Sequence, residues 1–260
     1  MIPAQGLRRS TRLSHQPSGV ALPSTRQRGA AAQPIEAAQP SEAESGETAA
    51  PSQPGRGPGR GLEEALWAQG YARVAGVDEA GRGPLSGPVV AGACILPASL
   101  EGIDGIDDSK KLSEAQRERI YEALMSHPNV VCATAVVDAS MVDSINILQA
   151  TLLAMERAVA ALPGSPPDYL LVDGNQLPRG FAARPAETVI KGDSKSAAIA
   201  AASILAKVTR DRLMQEYDKQ WPVYGFARHK GYGTVAHLAA IREHGPCPIH
   251  RRSFAPLKSK

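Results

Sequence analysis

Hydrophobic and polar positions change character near residue 60 of this chain. Before that point Pro, Gly, Ser, Ala and Gln dominate, and no apolar period is visible. Such a stretch buries too little apolar surface to offset the entropy of ordering it, so residues 1–60 are expected to be a disordered extension. Beyond it, periods set in. Residues 62–67 read as a short amphipathic helix, and apolar runs at 74–77 and 88–96 bracket a polar loop as strand, loop and strand. Ser113 is a good N-cap for a helix through Met125, with Glu114 favourable in its first turn. Residues 130–137 make a third strand. Met141, Ile145, Leu148, Leu152, Met155 and Val159 then carry one long helix or a pair of them across 140–162. A fourth strand ends at Asp173 and a fifth spans 186–191. An alanine-rich helix follows to about Trp221, its small side chains suited to lying close against a sheet. Val235 opens a last helix that ends near His244.

The first strand breaks at two adjacent carboxylates, Asp78 and Glu79. Successive side chains of a regular strand point to opposite faces, so both reach one site only if the strand ends or bulges between them. Otherwise one acid is structural. Gly81 and Gly83 flank Arg82 and let the backbone approach a ligand, with amides that suit a phosphate or a hydroxyl. A second strand-end carboxylate, Asp173, sits where α/β sheets usually place their sites. Asp193 stands at the mouth of the alanine-rich helix, as a site acid or as an N-cap. Asp211 competes with it from the same helix, with Arg210 and Arg212 beside it as potential ion-pair partners. Ser109, Lys110 and Lys111 precede a helix start and are candidate phosphate contacts, or an ordinary solvated loop. Asn146 is a candidate nucleic-acid contact or a surface polar residue. Tyr232, between two glycines in a basic loop, is placed to stack on a base or sugar. Four carboxylates without His or Cys partners favour hard divalent ions such as Mg²⁺ or Mn²⁺. Two ions roughly 3.5–4 Å apart are the usual arrangement for in-line phosphodiester hydrolysis.

Composition narrows this picture a little. The chain has 260 residues, 43% of them hydrophobic, enough for one substantial core. Its net charge of +3 resides in the first sixty residues, where seven arginines meet four acids, so the remainder is balanced. The first 35 residues lack acids, which faintly resembles an organellar transit peptide; a dispensable extension is the simpler account. Three scattered cysteines suit a reducing, cytoplasmic setting. Cys247 with His244 and His250 invites a zinc site, but a single sulfur without a CxxC partner argues against it. No apolar run is long enough to span a bilayer, so no membrane role is expected.

The motifs, taken in order, resemble the ribonuclease HII family. They are Gly76-Val-Asp-Glu-Ala-Gly-Arg-Gly-Pro-Leu-Ser-Gly-Pro-Val-Val90, Asp107-Asp-Ser-Lys-Lys-Leu112, Leu171-Val-Asp-Gly174, Lys191-Gly-Asp-Ser-Lys-Ser196, Ala200-Ala-Ala-Ser-Ile-Leu-Ala-Lys-Val208 and His229-Lys-Gly-Tyr-Gly-Thr234. The resemblance implies an α/β fold, a ribonuclease H-like mixed five-stranded sheet flanked by helices. The catalytic domain would be 61–260, with about 222–260 as a small C-terminal helical appendage. It implies a monomeric endonuclease that cuts the RNA strand of RNA–DNA hybrids and incises duplex DNA 5′ to an embedded ribonucleotide, leaving 3′-hydroxyl and 5′-phosphate ends. By motif, Asp78, Glu79, Asp173 and Asp193 take the places of the metal-binding acids, for Mn²⁺ or Mg²⁺. Gly81, Arg82 and Gly83 match the loop that reads the 2′-hydroxyl, and Tyr232 matches the stacking tyrosine. The sister ribonuclease HIII type lacks the Gly-Arg-Gly loop and carries a folded N-terminal domain, so type HII is favoured. A junction resolvase of the same superfold would use similar acids without needing that loop.

Overall fold

The protein's structure, a computed structural model, describes residues 57–258. The extension expected over 1–60 therefore lies outside the described residues, apart from its last four. Of these, Arg60 is already anchored. Its guanidinium donates to the carbonyls of Ala98 (2.6 Å) and Pro97 and lies over the Trp67 ring.

Five strands form one mixed sheet in the order β3-β2-β1-β4-β5: β1 (Val74–Ala80), β2 (Val89–Ile95), β3 (Val131–Val137), β4 (Tyr169–Asp173) and β5 (Ala186–Val189). The first three pair antiparallel, and β4 and β5 continue in parallel from β1. The chain thus leaves β1 in one direction and β4 in the other. Between strands of that kind the connections diverge and a crevice opens at the carboxyl ends.

Helices cover both faces. On one side lie α3 (Ala139–Ile145) and α4 (Ile147–Ala160), whose Ala150, Ala154, Met155 and Ala158 pack on Ala75, Val77, Ala91 and Val172. Of the two alternatives for 140–162 the pair is found, because Asn146 takes a left-handed φ of +67° and its side chain accepts the Gln149 N–H, ending one helix and capping the next. On the other side lie α2 (Glu114–Ser126) and the 24-residue α5 (Ala197–Gln220). Ser113 caps α2 as expected, and Gln116 completes a reciprocal box by accepting the Ser113 N–H. A short α1 (Gly61–Ala68) precedes β1. The C-terminal part folds as α6 (Phe226–His229) and α7 (Val235–His244) over a core of their own, Leu85, Met214, Tyr224, Phe226 and Ile241. β5 stops at Val189, two residues short of the expected strand, because Lys191 turns left-handed (φ +55°) into the 3₁₀ turn Gly192–Ser194.

The alanine face of α5 meets the sheet at two glycines. A Cβ on Gly76 would stand 2.1 Å from the Ala198 carbonyl carbon, and one on Gly92 would stand 2.3 Å from the Ala202 oxygen. Backbone touches backbone at both points, so neither side has a side chain to move aside. Gly92→Ala should lower stability by about 3 kcal/mol, read as a reduced urea midpoint with unchanged slope. An alanine variant within a few tenths of wild type would contradict the close contact.

Candidate active site

β1 carries its two acids at the crevice. The ladder to β2 is unbroken through Asp78, Glu79 and Ala80, so the strand neither ends nor bulges between them. Asp78 pairs with Gly92 and so faces α5. Glu79 faces the other side, among Leu148, Thr151 and Leu152 of α4. What lets both serve one opening is the opposite edge. The parallel ladder to β4 stops at Val77 and Val172, leaving Asp78 and Asp173 as the next register position on strands that have parted. Like charges there oppose further pairing. Glu79 reaches the gap from the α4 side, where it shares a recess with Asp173 and Asn175.

Asp193 does not cap α5, because other groups do. Ser196 accepts the Ile199 N–H, and the buried Glu63 of α1 takes the Ser196 hydroxyl (2.6 Å) and the Ala198 N–H (2.9 Å). Asp193 instead receives the Lys110 ammonium at 3.1 Å. Asp211, the competing acid, lies buried against Lys207 (2.8 Å) and Arg117 (4.0 Å). Its expected neighbours go elsewhere: Arg210 donates to backbone carbonyls, and Arg212 pairs with Glu118 and Glu122.

The electrostatics are those of concentrated negative charge. Burial first, then Glu79 and Asp173, hold the Asp78 carboxyl well above its usual range. Burial likewise raises Glu79, against the pull of Arg82 at 3.4 Å. Asp173 is raised by burial and by Asp193, partly offset by the Gly192 N–H that it accepts at 2.6 Å. Partial burial opposes the Lys110 charge, but its bond to Asp193 and the nearby Asp108 and Asp78 hold it more firmly protonated. Among the described residues, no three His, Cys, Asp or Glu side chains are ready-grouped around a metal position. Asp173 and Asp193 are turned to the Gly192 amide and to Lys110. The donor set still fits a hard cation: all oxygen, largely buried and short of positive charge.

Asp78 and Glu79 open onto a cleft of about 130 Å³, too small for a duplex but sized for a sugar–phosphate edge, while Asp173 lines the adjoining recess with Glu79. Gly81, Ser109, Lys110 and Tyr232 line it, as do Ser203, Lys207 and Arg210 of α5. Ser109 is buried, its hydroxyl bonded to Ser203 at 2.7 Å. Lys111 turns away to Asp107 (3.2 Å), and Asn146 is the α4 cap rather than part of the cleft. Gly81 needs its missing Cβ for the protein's own packing, because at φ +96° a methyl would meet the Arg210 Nε at 2.1 Å. Gly83 has room, its nearest neighbour the half-exposed Tyr232 ring, 3.6 Å from a notional Cβ.

The family model for ribonuclease HII matches residues 75–257. The chain belongs to the ribonuclease HII family. A ribonuclease HII of Chlamydia muridarum is 57% identical over 197 residues, covering 76% of this chain and 88% of that protein. Of solved structures, the ribonuclease H2 of Pyrococcus horikoshii is 28% identical with a TM-score of 0.58, covering 71% of this chain and 95% of that one. A Bst-RNase HIII in complex with Mn²⁺, 20% identical at TM-score 0.54 and covering 72% of this chain and 68% of that one, shares the fold. As a member of that family the chain is a metal-dependent nuclease that hydrolyses phosphodiester bonds, of a family acting on RNA–DNA hybrids.

Sequence reading missed Ser203, Lys207 and Arg210 as cleft residues, although their i, i+4, i+7 spacing puts them on one helical face. It also missed a chain of histidines behind Tyr232. The Cys247 N–H donates to His250 Nδ1 (3.0 Å), which puts the His250 proton on Nε2, facing His237 Nε2 at 3.0 Å. His237 then donates through Nδ1 to the Tyr232 carbonyl at 2.8 Å. Both rings are neutral in this chain, and burial lowers both, His250 to about 4. Of the residues considered for zinc, His250 Nδ1 meets both the Cys247 amide (3.0 Å) and its sulfur (3.1 Å), while His244 is turned to Glu243 at 3.9 Å. An unfolded His250 takes up its proton near pH 6.5 while the folded one resists until about pH 4, so this stability is complete above 6.5 and drains as pH falls through that window. Unfolding free energies from urea titrations at pH 7.5 and 5 should fall further for wild type than for His250→Asn, by about 2 kcal/mol. Parallel slopes would rule out the neutral pair.

Proposed function

We propose that this enzyme, besides cutting the RNA strand of hybrids, incises duplex DNA 5′ to a single embedded ribonucleotide and leaves 3′-hydroxyl and 5′-phosphate ends. One observation carries the reading. The exposed Arg82–Gly83 backbone and the half-exposed Tyr232 ring stand side by side at the mouth of a cleft floored by Asp78. A backbone donor that meets the 2′-hydroxyl distinguishes ribose from deoxyribose at one sugar, and the adjacent ring offers a face to the neighbouring nucleotide.

Asp78, Glu79, Asp173 and Asp193 would hold Mg²⁺ or Mn²⁺; Mn²⁺ is the ion in the ribonuclease HIII neighbour. Such ions polarise the scissile phosphate and lower the pKa of bound water. The chain's own residues do the rest. Lys110 stands beside Asp193 at 3.1 Å and Lys207 lines the same cleft, so both meet backbone phosphate as point charges. The Ser109–Ser203 pair offers hydroxyls at the same wall. Arg82 is tethered to Glu79 at only 3.4 Å and half exposed, free to exchange that carboxylate for a phosphate.

Asp78→Asn should abolish cleavage while leaving hybrid binding intact, and should raise the stability of the protein in metal-chelated buffer by relieving buried repulsion. Retained turnover, or a less stable variant, would remove Asp78 from the role. Tyr232→Ala should slow incision at a lone ribonucleotide more than it weakens binding to plain duplex. The reading as a whole is decided by a digest of a one-ribonucleotide duplex beside an all-DNA four-way junction, with Mg²⁺ or Mn²⁺. Junction cleavage without ribonucleotide incision would favour a resolvase.

A further inference from the structure

Two arginines, Arg210 and Arg251, are buried almost completely, and among the described residues neither has a carboxylate within ion-pairing distance. Burying an unpaired charge is costly, so the groups that satisfy it are held firmly. For Arg251 those groups are all carbonyls of one loop. Nε donates to Gly87 (3.0 Å), Nη1 to Arg82 and Pro84 (2.9 Å each) and Nη2 to Gly81 (2.6 Å). Burial, with Arg210 alongside, brings its pKa down only to about 9, so the guanidinium stays charged at neutral pH.

In a trans peptide the C=O and the following N–H point in opposite directions. With the Gly81 and Arg82 carbonyls drawn inward to Arg251, the amides of Arg82 and Gly83 must turn outward. Neither amide donates to any described residue, and both residues are exposed. Around them the loop is knitted to the C-terminal segment. Leu85 donates to Gly231 O (2.9 Å), Gly87 to Ile249 O (2.9 Å), and the Arg251 amide to Leu85 O (2.8 Å). The outward amides are the loose end of an otherwise fastened loop.

We propose that Arg251 is a positioning residue for ribose selection: its guanidinium gathers the loop carbonyls and thereby aims the Arg82 and Gly83 amides at the sugar. The proposal rests on the ribose-sensing reading above. It assigns the C-terminal appendage a part in selectivity, not only in stability.

The test compares kcat/KM on a duplex holding one ribonucleotide with that on the same duplex holding 2′-fluoro at that sugar, for wild type and Arg251→Lys. Lysine keeps the charge but cannot span four carbonyls. The expected result is a ribonucleotide rate lowered about thirtyfold, in kcat more than KM, with the 2′-fluoro rate unchanged, so that discrimination collapses. Hydrogen exchange should quicken in 81–88 and not in α5. Equal losses on both duplexes, or full discrimination in the variant, would overturn the proposal alone. A wild type that does not discriminate would remove the ribose-sensing reading, and this proposal with it. Arg251→Ala supplies a second measurement at low temperature. Millimolar guanidinium should restore discrimination where ammonium does not, and no recovery counts against the clamp.

Discussion

The contact between α5 and the sheet sets the geometry of everything else. Gly76 and Gly92 admit the backbone of α5 to within touching distance, which no larger residue permits at either position. The Cβ that Gly92 lacks would lie on the same face, and at the same register, as the Asp78 carboxylate. A helix displaced by one methyl radius would therefore move away from the acid that it walls in. Because α5 is a single rod, the same contact fixes the turn bearing Asp193 at one end, Ser203 and Lys207 midway, and Arg210 further along. Alanine serves here through smallness: each methyl adds little burial energy, and the gain lies in the distance it allows.

That closeness has an electrostatic consequence. A carboxylate under a helix wall is desolvated, and Asp78 also feels Glu79, Asp173 and Asp193. Nearby groups offset part of that charge: Lys110 on Asp193, Arg82 near Glu79, and the Gly192 amide on Asp173. These are exposed or flexible cations and a single N–H, each easily exchanged. A site that is short of positive charge and only lightly compensated is prepared for divalent ions and for phosphate-bound cations alike.

Much of this was legible from residue order, and the exceptions have physical reasons. Strands and the capped α2 follow from apolar period and from Ser113, both local signals. The break at Asn146 was not decidable, because a left-handed residue with a capping side chain leaves the apolar spacing on either side unchanged. The problem of two adjacent acids on one strand looked like a choice between a bulge and a bystander. Its solution, a strand whose partner has peeled away, is a property of the ladder to β4 and invisible in β1 itself. Asp193 and Asp211 could not be ranked by spacing. The structure shows only who caps α5: Ser196 and Glu63, the latter more than a hundred residues upstream, rather than Asp193. Arg251 was missed because its partners are carbonyls of a loop far upstream, and backbone atoms leave no trace in a sequence. The His237–His250 contact joins two side chains across the end of α7, a closure that no periodic spacing marks.

The two halves of the site are thus built by opposite means. The sheet end supplies negative charge, and it needs rigid, dry surroundings, which two glycines and a row of alanines provide. The loop supplies direction, and a glycine-flanked loop has none of its own, since Gly81 at φ +96° adopts a conformation that unfolded glycine visits among many. Direction has to be imposed from outside. Arg251 and the strand-like pairing of Ser86 with His250 do so from the C-terminal segment beside its own small core, and Arg210 does so from α5. A fold with the sheet alone would keep its acids and lose its aim. If Arg251 aims the loop amides as proposed, the helical appendage is the part that would make a general phosphodiester cleft selective for one sugar.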